Sequence, residues 1–459
     1  MSHITLKTSR NDILRITWPI FVETLLRMLL GNVDTIMLSH YSEDAVAAVG
    51  TVNQIFSMVI IMYSVVSTGT TIVISQYLGA GQAEKAKKIA AYACLMNLSF
   101  GLIVSILLAI FARPILLLMN LPPELMGYGT EFLTIIGGFS FLQAFLSANA
   151  AILRSYGNTR TAMFVALGMN ILNIVGNSIA LFGFFGLPVL GVKGVACSTA
   201  FSQLVAFLVT FFIVAKKLKL LAPIKSIIKI DKGLIFPILK IGLPSAGEQF
   251  VFQLSTIAIT FIITFIGTEA LTTRVMTFNI QWFIMVSGMS LGQGTQIIVG
   301  HLIGAGEIDK AYKVCIKGCK IGLTVTLTLA TIVFLFGEHL LGLFTDNENI
   351  ISVATKLLAI AFILETGRAL NLIIISCLKA TGDVKFPVMM GMISPWGIAV
   401  PISYILGLKL GYGLVGVWIA YSCDEWLRAI LMIIRWKSGV WKNKGLFLPK
   451  TKGDNLYES

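Results

Sequence analysis

The sequence predicts an all-α polytopic membrane protein: twelve transmembrane helices in two six-helix lobes related by a pseudo-twofold axis. Three observations carry that prediction. First, 56% of the 459 residues are hydrophobic and only 12% are charged, whereas a soluble domain is about 25% charged. Mean hydropathy is +0.87, so the chain cannot cover itself in water. Second, apolar runs long enough to cross a bilayer recur along its whole length. Third, segments of the first half recur in the second half at one fixed offset.

Apolar runs bounded by charge or by Gly and Pro place the spans at 13–38, 46–75, 89–112, 128–153, 161–186, 192–215, 234–266, 270–300, 314–337, 352–378, 386–408 and 412–435. Several exceed the ~20 residues of a straight crossing, which predicts tilt, kinks or protruding ends. Basic residues fall in alternate connections. Lys7 and Arg10, Lys85 to Lys88, Arg154 and Arg160, the lysines between 216 and 232, Lys310 to Lys320, Lys379 and Lys385, and Lys437 to Lys452 lie on one side. The opposite loops hold only Arg113, Lys193, Arg274 and Lys409, with Lys356 at a span edge, and collect acids such as Glu43, Asp44, Glu269 and Glu348. By the positive-inside rule both termini are cytoplasmic and the cell membrane is the expected location. The net charge of +13 is thus an orientation signal and not a nucleic-acid footprint. The first fourteen residues lack a short apolar core and a small-residue cleavage site, so no removable signal peptide is expected. The six cysteines form no C-x-x-C and no metal-ligand spacing, and read as reduced apolar residues.

Three segments repeat without gaps. LRITWPIFVETLL (14–26) aligns with LKIGLPSAGEQFV (239–251), TGTTIVISQYLGAGQAEKA (68–86) with QGTQIIVGHLIGAGEIDKA (293–311), and LRSYGNTR (153–160) with LKATGDVK (378–385). Each pair is 225 residues apart. The duplication predicts a first lobe at 1–215, a cytoplasmic linker at 216–233, a second lobe at 234–436 and a cytoplasmic tail at 437–459. Six spans per half keep both lobes in one orientation, so the axis runs along the membrane normal.

Duplicated lobes with polar groups near the midplane are the architecture of a secondary transporter working by alternating access. No G-x-x-x-x-G-K-[ST] loop is present to drive it with nucleotide. No nucleophile with a base and no His, Asp and Glu cluster supports an enzyme. The intramembrane charges are therefore the functional candidates. In the first span Glu23, Arg27 and Asp34 lie within roughly 40° of one helix face. Glu23 and Arg27 can pair at i,i+4, as a structural tie or as a modulator, while Asp34 has no local partner. The fifth span aligns Asn170, Asn173 and Asn177 on one face, either as interhelical hydrogen bonds or as oxygens of a hard-cation site. In the second lobe Glu248, the duplicate of Glu23, stands near Gln249 and Gln253. The tenth span offers Glu365, Arg368 and Asn371, and the twelfth Asp424, Glu425 and Arg428, with local pairs from Glu365 to Arg368 and from Asp424 to Arg428. Glu365 and Asp424 read as structural ion pairs near span ends. Asp34 falls on Ile259 at the duplication offset, so the first-lobe acid is not duplicated. Met58, Met62, Tyr63, Asn279, Trp282 and Trp396 are candidate walls of a substrate cavity, against the commoner role of such residues in packing. Pro19 and its duplicate Pro244 predict a bend early in each lobe's first helix.

GNVDTIMLSHYSEDAVAAVG (31–50), SQYLGAGQAEKA (75–86), LRSYGNTR (153–160), MNILNIVGNSIALFG (169–183), GVKGVACSTAFSQ (191–203) and LKATGDVKFP (378–387) together resemble the MATE (multidrug and toxic compound extrusion) family, in its prokaryotic NorM and DinF-like branch. The resemblance covers essentially the whole chain. It implies a multidrug antiporter that exports amphipathic, often cationic compounds in exchange for H⁺ or Na⁺, as a monomer without a cofactor. It also implies that Asp34, Asn173 and Thr199 contribute to a first-lobe cation site, with Asn177 standing where some Na⁺-binding relatives have Asp. Na⁺ and H⁺ both remain open on that pattern. A second-lobe acid of the NorM type falls at or near Arg368, where a cation would repel Na⁺; pairing of Glu248 with Arg368 is the alternative. A flippase for lipid-linked oligosaccharides or other lipids, a related fold, is the alternative function.

Overall fold

The computed structural model describes residues 9–183, 188–217 and 231–447, and among them it contains helices and no strand. Twelve long helical segments follow one another. These are α1 (Arg10–Ser39), α2 (Glu43–Gly79), α3 (Ala83–Ile110), α4 (Met126–Gly138 with Ser140–Ser155), α5 (Thr159–Phe182), α6 (Gly191–Lys217), α7 (Lys232–Thr264), α8 (Thr268–Gly304), α9 (Ile308–Leu335), α10 (Glu348–Ala380), α11 (Lys385–Lys409) and α12 (Gly413–Lys437). Each matches an expected span, with ends displaced by a few residues. Most of the expected linker (218–230) and the far tail (448–459) lie outside the described residues.

Eight of these helices are long and apolar enough to cross a membrane, and nine when α4 is taken as one span. The other three, α1, α8 and α12, carry buried polar groups at intervals: Glu23, Gln281 and Gln296, and Asp424, Glu425 and Arg428. The local chemistry explains the ends. Ser9 caps α1 reciprocally with Asp12: the Asp12 N–H donates to Ser9 Oγ (3.2 Å), and Ser9 Oγ donates to Asp12 Oδ2 (2.7 Å). Asn347 Oδ1 accepts from the N–H groups of Asn349 and Ile350 at the start of α10. Gly183 closes α5 in the left-handed region (φ 63°), where a Cβ is disfavoured.

Two helices depart from regular geometry. α4 bends by 46° at Phe139, just after Gly137 and Gly138. α11 widens into π-helix at Pro395–Ala399 and Ser403–Lys409. Pro395 and Pro401 each remove a backbone donor, which unseats the i→i−4 ladder. Pro19 breaks nothing: α1 runs as one helix through it, and α7 runs through Pro237 and Pro244.

The chain forms two compact units. One comprises Met1–Phe21, Ser75–Gly81 and Gly247–Ser459; the other comprises Val22–Ile74 and Gln82–Ala246. The division falls inside α1 after Phe21 and inside α7 after Ala246, positions equivalent under the duplication and two residues beyond Pro19 and Pro244. The first unit has its core in Ile13, Ile16, Ile20, Ile373, Trp436 and Trp441. The second is built around Leu38, Val52, Tyr63, Leu116, Leu133 and Val195. Large apolar side chains such as Phe212, Phe261 and Ile434 are exposed along the spans, as a lipid-facing surface requires.

Within the first unit the ends of α2 and α8 cross closely. A Cβ on Gly79 would overlap the His301 carbonyl, and one on Gly304 would overlap the Gln76 carbonyl. Gln76 is also tied down there. Its Nε2 donates to the Ala380 carbonyl (2.7 Å) and its Oε1 accepts from the Leu446 N–H (2.9 Å). The segment after α12 is anchored by Trp441, fully buried and stacked on Trp436 at 4.1 Å. Asp383 accepts from Arg435 (2.7 Å) and Lys444 (3.0 Å) beside it.

Candidate functional site

Four polar residues predicted to act together are joined in one hydrogen-bonded chain in the second unit. The α5 face carries Asn170, Asn173 and Asn177, all buried. Asn177 Nδ2 donates to Asp34 Oδ1 (2.7 Å) and to Asn173 Oδ1 (3.1 Å). Asn173 Nδ2 donates to Thr199 Oγ1 (2.9 Å) on α6. Thr199 passes its own hydroxyl proton to the Val195 carbonyl (2.9 Å), so the chain ends on backbone. Asn170 stands aside from this chain and ties α5 to the α1 backbone through the Leu26 carbonyl (2.9 Å). An apolar span gains nothing from three amides unless they find partners, and here each does.

The chain leaves oxygen free near Asp34. Asn177 Oδ1 is buried and has no hydrogen-bond partner among the described residues. Asp34 is half-buried and makes no ion pair among them. One carboxylate, two amide oxygens and a hydroxyl form a hard donor set, suited to a proton on the carboxyl or to a small oxygen-seeking cation. Arg27 does not reach it. Seven residues along α1 separate the two by about 10 Å of helix rise, and Arg27 is engaged with Glu23 instead.

Glu23 is buried and flanked by two guanidiniums, Arg27 at 3.2 Å and Arg154 at 3.6 Å. Its duplicate Glu248 meets Lys379 at 2.6 Å. Arg154 and Lys379 are themselves 225 residues apart, so the ion pair was duplicated whole. The expected partnership of Glu248 with Arg368 is therefore corrected: a basic residue one helix end away, read from the sequence only as a loop charge, takes the carboxylate. A cleft opens beside Glu23 and Arg27. It encloses about 370 Å³, part of it open to the outside, and is walled by Leu146, Ala150, Ala162, Ala166, Met169 and Ala206.

The remaining second-lobe residues belong to a separate ion-pair network. Arg368 bridges Glu365 (2.5 Å) and Glu425 (3.1 Å), and Arg428 bridges Asp424 (2.6 Å) and Glu425 (3.1 Å). Asn371 Nδ2 donates to Glu425 Oε2 (2.9 Å), and Ser394 Oγ donates to Asp424. All five charged residues are buried. Two expectations change here. Glu365 and Asp424 are not isolated pairs at span ends but members of one cluster, and Glu425, which no sequence argument singled out, is its hub. Its signal was available: Arg428 lies i+3 from Glu425 and i+4 from Asp424, so it meets both acids on one helix face. Gln253 joins neither group and is exposed on α7.

The candidate cavity walls scatter. Tyr63 is buried in its unit's core, its hydroxyl 2.9 Å from Ser140 Oγ and its ring edge-on to Phe100. That overturns its placement as a cavity wall: a buried phenol needs a partner, and Ser140 supplies one inside the bundle. Met58, Met62 and Asn279 are exposed, Trp282 is half-buried against Phe278, and Trp396 donates to the Val251 carbonyl (3.3 Å). None of these six lines the cleft beside Glu23.

The MatE family profile matches this chain twice, over residues 19–179 and again over 244–405. The chain belongs to the MatE family. The two matches start 225 residues apart, at the offset of the internal repeat. Of its MatE relatives, the uncharacterized transporter YisQ of Bacillus subtilis (strain 168) is 45% identical over 431 residues, 94% of this chain and 95% of that one. The probable multidrug resistance protein NorM of Thermotoga maritima is 28% identical over 444 residues, covering 95% and 94%. A solved structure described as the outward-facing conformation of a multidrug resistance MATE family transporter of the MOP superfamily matches with a TM-score of 0.86 at 19% identity, covering 95% of this chain and 98% of the other. The likeness shows the fold, twelve transmembrane helices in two lobes. As a MatE protein, the chain is a multi-pass membrane transporter and not an enzyme.

Proposed function

We propose that this MatE protein is a multidrug efflux antiporter. It exports amphipathic, often cationic compounds in exchange for H⁺ or Na⁺ by alternating access, with Asp34 as the coupling carboxylate. It acts as a monomer in the cell membrane, both termini cytoplasmic, and uses no cofactor beyond the coupling ion. The lobes follow the sequence halves, 1–215 and 234–436, with 216–233 as the linker.

One observation carries the coupling assignment. Every other buried intramembrane acid is paired with a cation: Glu23 with Arg27 and Arg154, and Glu365, Asp424 and Glu425 with Arg368 and Arg428. Glu248 is paired with Lys379. Asp34 alone has neutral partners, the amides of α5. A carboxylate already neutralised by arginine has no need of a transported cation, whereas one held by amides does. Proton or Na⁺ occupancy at Asp34 then competes with drug for the first lobe. The names of NorM in Thermotoga maritima and of other relatives support the drug class, and the basic residues in alternate loops support the orientation.

The test is dye efflux from vesicles under separate Na⁺ and H⁺ gradients, wild type against Asp34→Asn. The gradient that drives wild-type efflux names the ion, and Asn at this position abolishes the driven component without loss of protein. Normal driven efflux by a well-expressed Asp34→Asn protein would sink the assignment.

A further inference from the structure

We propose that the cleft beside Glu23 binds an anionic amphiphile, its carboxylate or phosphate head on Arg27 and its hydrocarbon chain along the alanine-lined wall. The internal duplication supplies the argument. In the second half Glu248 is matched by one cation, Lys379 (2.6 Å). The equivalent pair in the first half is Glu23 with Arg154 (3.6 Å). Where the first half adds Arg27, the second half has Phe252. One cation balances one carboxylate, so Arg27 is the surplus charge. It lines the cleft, and its side chain is 39% exposed.

The hydrogen-bonding inventory points the same way. Arg27 offers several N–H groups, and a single one is used, by Glu23 Oε1. The amide of Gln143, also in the lining, makes no hydrogen bond among the described residues. Thr210 is already satisfied by the Ala206 carbonyl (2.6 Å) and presents nothing. Unspent donors outnumber unspent acceptors, and an acceptor-rich anionic head fits such a set.

The walls distinguish this place from its duplicate. Small residues in membrane helices usually bring backbones together. Here Ala150, Ala162, Ala166 and Ala206 border open space. The duplicate of Ala166 is Gly391, and there Glu248 itself lies so close that a Cβ would meet its carboxyl. The first half keeps a slot where the second half is filled. The inference stands apart from antiport, because it is read in binding alone.

The experiment uses the full chain in nanodiscs of phosphatidylcholine, with radiolabelled dodecanoate as probe and dodecyltrimethylammonium as its cationic twin. Dodecanoate binds saturably and is not displaced by the cation. Arg27→Gln weakens binding by about tenfold or more, the loss of one charge-assisted contact. Ala166→Leu fills the wall and weakens it comparably without touching a charge. Nanodiscs containing phosphatidylglycerol separate the sources: displacement of dodecanoate marks a lipid headgroup as the occupant, and unchanged binding marks a free amphiphile, the anionic class holding in both. Equal displacement by dodecyltrimethylammonium would overturn the proposal. So would unchanged affinity in an Arg27→Gln protein that keeps the wild-type melting temperature, or in a comparably folded Ala166→Leu protein.

Discussion

The two halves descend from one repeat, yet they treat buried charge in opposite ways. In the first half Asp34 sits among neutral amides and hydroxyls. In the second, Glu365, Arg368, Asp424, Glu425 and Arg428 neutralise one another across α10 and α12. The duplication makes the divergence readable residue by residue. Asp34 corresponds to Ile259, Asn173 to Ile398 and Asn177 to Ile402, while Thr199 corresponds to Asp424 and Gln143 to Arg368. The first half kept a polar site whose charge is not spent internally. The second half replaced that site with apolar packing and moved its charges into a closed network. A network of that kind fixes helices to each other and has little capacity left for a transported ion.

Four substitutions sharpen or break this contrast, from the largest effect to the smallest. Asp34→Asn removes the one unpaired acid, and gradient-driven efflux falls to background while the purified protein keeps its melting temperature. Glu425→Gln does the reverse. It leaves Arg368 and Arg428 short of a shared partner, and truncating a buried pair costs about 3–5 kcal/mol, so the protein melts early or fails to accumulate. What protein survives should still couple. A Glu425→Gln protein that is stable but uncoupled would erase the distinction between the halves. Asn177→Ala removes a hydrogen bond to a carboxylate, worth about 1.5–3 kcal/mol; efflux drops roughly tenfold, with a smaller change in stability than Glu425→Gln produces. Last, Glu248→Gln and Lys379→Gln are each more damaging to melting temperature than the double substitution, with a coupling of about 0.5–3 kcal/mol in the cycle. Additive losses would show that the 2.6 Å pair is not a mutual one.

Most of the fold was legible because bilayer crossing leaves a coarse signal. Long apolar runs, alternating basic loops and an ungapped repeat place twelve helices to within a few residues. The first-lobe site was legible for a related reason. A lone Asp and three evenly spaced Asn in apolar helices are costly enough to be conspicuous, and Asn173 and Asn177 did find Asp34. What escaped depended on reach between helices. Arg154 and Lys379 lie at helix ends, where composition reads them as orientation charges, yet long side chains carry their heads back to Glu23 and Glu248. Glu425 was hidden by its neighbour Asp424, because i,i+4 reasoning assigns Arg428 one partner and the structure gives it two. Tyr63 shows the limit for aromatics: a ring in a span announces burial, not what it faces.

The division of α1 at Phe21 and of α7 at Ala246 has a consequence for anyone who handles this protein in pieces. A cut in the 218–230 stretch separates the genetic repeats but not the compact units, since each fragment would carry off the opening turns of a helix that pack in the other's unit. Neither half should be obtainable alone as a folded species. Expressed together from two messages, the halves should instead complement one another, and the ancestral gene duplication would reappear as an obligate split protein.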